Sequence, residues 1–147
     1  MVTIIQETEI KASAEKIWQI LWNDDTYKQW TNFFSEGCYY ESDWQIGGRT
    51  LFLDATGKSG MISTIDKLDA PHEVVFKHLG YMKDGEEIFN TKEVAEWSGA
   101  QEKYILTEFD GYTKLTTKTQ TTQQYEDFMK KAFEQGFEKI KELAERD

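Results

Sequence analysis

QQYEDFMKKAFEQGFEKIKELAERD, residues 123–147, contains no proline and repeats its apolar residues with a helical period. Tyr125, Phe128, Met129, Ala132, Phe133, Gly136, Phe137, Ile140, Leu143 and Ala144 recur at steps of three and four. That spacing places them on one stripe of a long amphipathic helix, and the stripe is rich in rings. Almost everything between residue 37 and this helix reads as strands and turns. A bent sheet closing on such a helix encloses a hollow between the two, and a hollow lined with aromatic rings suits a small apolar molecule.

Working back from the helix, residues 103–109 and 113–121 form a hairpin about Asp110-Gly111, its last strand rich in β-branched threonine. Residues 87–95 read as an extended, partly irregular excursion, and Gly85 marks an exposed loop tip. Pro71, the only proline, separates a strand at 60–69 from one at 73–79. Residues 38–42 and 49–54 flank a turn containing Gly47 and Gly48. At the start, residues 3–10 read as a strand and Ser13 as the N-cap of a helix carrying Ile17, Trp18, Ile20, Leu21 and Trp22. Asn23, Asp24 and Asp25 cap a second short helix with Tyr27 and Trp30, and Phe33 and Phe34 follow in a loop. The expected fold class is α+β: a curved antiparallel sheet of about six to seven strands around a long C-terminal helix, with two short helices after the first strand. No linker or repeat divides residues 1–147, so a single domain is expected.

Composition narrows the function classes. The chain has 27 acidic and 17 basic residues, a net charge of −10, and 39% hydrophobic and 14% aromatic content. It is too apolar for a disordered chain. Its charge opposes nucleic-acid backbones and anionic membrane surfaces, so neither is an expected partner. No apolar run approaches the roughly 20 residues of a membrane helix, and MVTIIQETEIKAS does not resemble a signal peptide. The expected location is cytoplasmic. The single cysteine, Cys38, reads as a small filler in a strand, with a reactive thiol as the alternative.

Tests for familiar chemistry return little. His72 and His78 are the only histidines. On one strand they would stand about 20 Å apart, too far to share an ion, so no metal or cofactor is expected. Nucleophile elbows, phosphate loops and dinucleotide fingerprints are missing from the sequence. His78 alternates in phase with Val74 and Phe76 and therefore points with them, where it could donate a hydrogen bond or act as a base. The candidate ligand-binding residues are Trp30, Phe34, Tyr40, Phe52, Phe76, His78, Trp97, Tyr104, Thr117, Phe128, Met129, Phe133 and Phe137.

Five segments also carry a family likeness: IKASAEKIWQIL with Trp30 downstream, DWQIGGRTLF, GMISTIDKLDAPHEVVFKH, WSGAQEKYILTEFDGYTKLTTKT and GFEKIKELAER. Their order and spacing resemble the START-like, helix-grip (SRPBCC) superfamily, and within it the branch of stand-alone domains named for the activator of the heat-shock chaperone ATPase. Position 137 departs from the pattern, with Phe where the family often places Trp. The resemblance implies a domain that binds a small hydrophobic ligand. A chaperone-activating, protein-binding module is the alternative, and a cyclase- or hydrolase-like enzyme using His78 a second. It implies no universal catalytic residue.

Overall fold

The structure is a computed structural model and describes residues 1–146. Its elements run β1 (Val2–Ile10), α1 (Ala14–Trp22), α2 (Asp24–Thr31), β2 (Tyr39–Ser42), β3 (Arg49–Leu53), β4 (Gly60–Asp69), β5 (Glu73–Lys83) and β6 (Glu86–Ile88). They continue with α3 (Lys92–Trp97), β7 (Gln101–Phe109), β8 (Tyr112–Thr121), a 3-10 turn at Gln123–Tyr125 and α4 (Glu126–Ala144). The strands make one antiparallel sheet in the order β1-β8-β7-β5-β4-β3-β2, with β6 paired to β5. The sheet is curved and open, and α4 lies in its hollow face.

Local chemistry explains the boundaries. Ser13 Oγ accepts the Lys16 N–H at 3.2 Å, which caps α1. Ile17, Ile20, Leu21 and Trp22 then share its buried side. Asn23 holds the N-cap position of α2 without a side-chain cap bond, and Asp24 and Asp25 sit in the first turn, where the helix dipole favours negative charge. Asp84 and Gly85 both have positive φ, 51° and 84°, which is the geometry of a tight hairpin turn joining β5 to β6.

Several expectations need correction. Residues 87–95 are not an extended excursion: β6 ends at Ile88, and Thr91 Oγ1 accepts the Val94 N–H at 3.2 Å to start α3. With β6 the sheet has eight strands rather than six or seven. Cys38 lies in the connection before β2, not in a strand. The last helix begins at Glu126, so Tyr125 belongs to the turn before it and is exposed. Phe128 is also exposed. At 100° per residue it points about 120° from the middle of the buried stripe.

That stripe consists of Ala132, Phe133, Gly136, Phe137, Ile140 and Ala144. Gly136 has a specific task, because a Cβ there would sit 2.9 Å from the carbonyl oxygen of Trp30. Only glycine lets α4 cross α2 this closely. Trp22 occupies the centre of the core, with ring centroids of Tyr104, Phe76 and Trp44 at 4.9, 5.4 and 5.5 Å in edge-on geometry. One end of the space between sheet and helix is thus filled by Ile10, Ile17, Leu21, Leu115, Phe137 and Ile140. Among the described residues, no helix is long and apolar enough to cross a membrane.

Candidate functional site

The other end is not filled. A cavity of about 320 Å³ lies between α2, the connection at residues 34–38 with Tyr39 at the start of β2, the adjoining ends of β3 and β4, the middle of β5, the first half of β7, and Met129 of α4. Tyr27, Trp30, Phe34, Phe52, Tyr104 and Met129 form most of its apolar wall. Exposed Ser35 and half-buried Asp54 lie at its solvent side.

A polar row crosses the sheet here, and its members His78, Glu102 and Tyr104 line the cavity. Ser63 of β4 and His78 of β5 are register partners, and Ser63 Oγ lies 2.6 Å from His78 Nδ1. On the far side of the ring, His78 Nε2 stands 3.7 Å from Glu102 Oε2 of β7, beyond hydrogen-bond reach. Tyr104 donates its hydroxyl to Glu102 Oε1 at 2.7 Å. Thr119 of β8 is the register partner of Glu102, and its buried Oγ1 has no hydrogen-bond partner. The row exists because period-2 alternation turns the same phase of each strand inward, so neighbouring strands bring their inward residues side by side.

Burial sets the charge states. Desolvation pulls the His78 pKa from 6.5 down to about 4, so the imidazole is neutral near pH 7. Desolvation also raises the Glu102 carboxyl, an effect that the Tyr104 hydroxyl opposes by bonding the ionised form. Tyr104 and Tyr27 are both pushed well above the ordinary phenol value, first by burial and then by nearby groups including Glu102. Tyr40 is raised to about 12, again mainly by burial. Cys38 reaches the cavity wall, with Sγ 3.4 Å from Thr31 Oγ1.

The thirteen candidate residues divide between this wall and other places. Trp30, Phe34, Phe52, His78, Tyr104 and Met129 line the cavity. Phe76, Phe133 and Phe137 are buried in the core behind it, and Thr117 is buried beside Tyr104, its register partner. Tyr40 packs on Tyr27 at 4.7 Å between ring centroids and donates its hydroxyl to the Trp22 carbonyl. Phe128 and Trp97 are corrections: the first faces solvent, and the second lies on α3, packed on Tyr81 at 6.3 Å. Sequence reasoning missed Tyr27, Thr31, Cys38, Met61 and Glu102 as wall residues. Glu102 had a usable signal, since it is in phase with Tyr104 on the same strand.

Metal binding has little to build on, because among the described residues no group of three His, Cys, Asp or Glu side chains converges. His72 is in the turn before β5 and pairs with Glu108 instead, Nε2 to Oε1 at 2.6 Å.

Comparison with known proteins places this architecture. The Aha1 dimer of Colwellia psychrerythraea, a solution structure, is 24% identical with a TM-score of 0.68, over 99% of this chain and 97% of that one. Protein MLL2253 of Mesorhizobium loti is 15% identical with a TM-score of 0.72, over 97% and 96% of the two chains. Protein Ms6760 of Mycobacterium smegmatis is 21% identical with a TM-score of 0.65, over 96% and 89%. At these identities the likeness shows a shared helix-grip fold. The comparison with curated protein sequences yields no match. The sequence profile described as "Activator of Hsp90 ATPase homolog 1-like protein" matches residues 11–145, nearly the whole chain. The chain therefore belongs to the Activator of Hsp90 ATPase homolog 1-like family of the SRPBCC superfamily.

Proposed function

We propose that this chain is a binding module for a small, largely apolar molecule held between the sheet and α4. The observation that carries this reading is the cavity of about 320 Å³, walled by aromatic side chains and crossed by one polar row. Its volume equals roughly ten waters' worth of liquid, enough for a one- or two-ring ligand. Its make-up, mostly rings with a few convergent polar groups, is that of small-molecule sites in general. Native mass spectrometry of gently purified protein should detect a bound species of that size. Ring-bearing ligands should raise its thermal stability. If neither is seen across a broad set of one- and two-ring compounds, the reading is wrong.

The family's name favours a second reading, in which an outer face docks on a chaperone and stimulates its ATPase. Exposed apolar residues such as Ile5, Ile46, Phe109 and Phe128 lie on four different segments, which offers such a partner no obvious single patch. Saturating protein added to a bacterial chaperone separates the two: stimulated ATP hydrolysis would favour the docking role.

A further inference from the structure

Among the described residues, no lysine or arginine lines the cavity, whereas Glu102 and Asp54 both do. Glu102 is the group that matters. One carboxyl oxygen accepts the Tyr104 hydroxyl at 2.7 Å, and the other faces a neutral imidazole at 3.7 Å. No cation balances it, and a carboxylate whose side chain is only 14% exposed is costly to keep charged without a counter-charge. Burial raises its pKa accordingly. A positive group entering the cavity would supply the missing counter-charge and hold Glu102 ionised. Thr119, directly across the register, adds an unpartnered buried hydroxyl beside it.

Other features act in the same direction. The bonds that Asp54 accepts from Thr56 hold its carboxyl below the usual range, so the mouth of the cavity is negative near pH 7. Ring faces attract ammonium groups, and Tyr27, Trp30, Phe52 and Tyr104 all line the space. The net charge of −10 repels an approaching anion.

We propose that the cavity selects a one- or two-ring molecule carrying a protonated amine, its ammonium hydrogen-bonded to Glu102 and its rings packed among Trp30, Phe34, Phe52 and Tyr104. This rests on the cavity being a binding site, and the test separates the two claims. Three probes share one ring system: tryptamine carries the ammonium, 3-ethylindole is neutral, and indole-3-propionate is anionic. Titration calorimetry at pH 7.5 should show tryptamine binding at least tenfold tighter than 3-ethylindole, with indole-3-propionate the weakest. In Glu102→Gln, tryptamine should fall to the affinity of 3-ethylindole, whose own Kd should stay within twofold of its wild-type value. A neutral or anionic probe that binds wild-type protein as tightly as tryptamine overturns the amine preference and leaves the cavity reading standing. Retention of the preference in Glu102→Gln overturns it as well. If none of the three binds, the amine preference falls, and the cavity reading is then decided by the broader set of one- and two-ring compounds. The wild-type comparison decides the matter even if the variant does not fold.

Discussion

His78 shows how a single residue registers its surroundings. The folded protein holds it neutral with a pKa of about 4, against 6.5 for a free imidazole. Between those values the unfolded chain takes up a proton that the folded one refuses, so stability falls as pH falls through that window. Going from pH 7 to pH 5 should cost about 2 kcal/mol from this group alone. Glu102, the ionisable group facing it from β7, has the opposite sign: its raised pKa favours the folded state at low pH and penalises it at high pH. Urea unfolding of His78→Gln should therefore lose much less stability than wild type between pH 7 and 5. Equal losses would mean that His78 is solvated or charged in the folded state. The inward phase of His78 was readable from alternation. Glu102 shares the phase of Tyr104 on β7, but acidic residues on strands usually face water, so alternation alone does not single it out.

Elements obey their local codes more closely than single residues do. Ser13→Ala should cost about 1 kcal/mol, since the Lys16 N–H loses its acceptor at the start of α1. Gly136 of α4 sits where that helix crosses α2. Gly136→Val would drive its Cβ into the Trp30 carbonyl and push α4 away from α2, a loss of roughly 1–3 kcal/mol. Chemical denaturation measures both, and a neutral Gly136→Val would disprove the close crossing. The α3 segment is instructive in the other direction. Thr91, Glu93 and the Val94/Trp97 spacing are helix signals, yet six residues are too few for periodicity to stand out from an irregular strand. Phe128 failed for the reverse reason: a three- or four-residue step places it near the stripe, but its angle around the helix turns it to solvent.

At the scale of the molecule, the fold divides its interior into a filled end and an empty one. Trp22 packs edge-on against Phe76 and Tyr104 between the two, so Trp22→Ala should cost roughly 3–5 kcal/mol, as removal of a large core side chain does. The empty end should tolerate filling. Met61 is half-buried on its wall, and Met61→Trp should leave the protein folded while abolishing ligand binding. A ligand present at one hundred times its Kd should stabilise wild type by about 2.7 kcal/mol and that variant not at all. An undiminished shift in Met61→Trp would place the ligand elsewhere.

The sequence by itself determined the α+β class, the long closing helix, most strands and the hairpins, because these follow from periodicity and turn chemistry within a few residues. The tertiary structure alone decided which rings fill the core and which line the cavity. It also brought Ser63, His78, Glu102 and Thr119 into one row from four strands. Those outcomes depend on how far the sheet bends and where α4 crosses it, and a chain reports neither until distant residues touch.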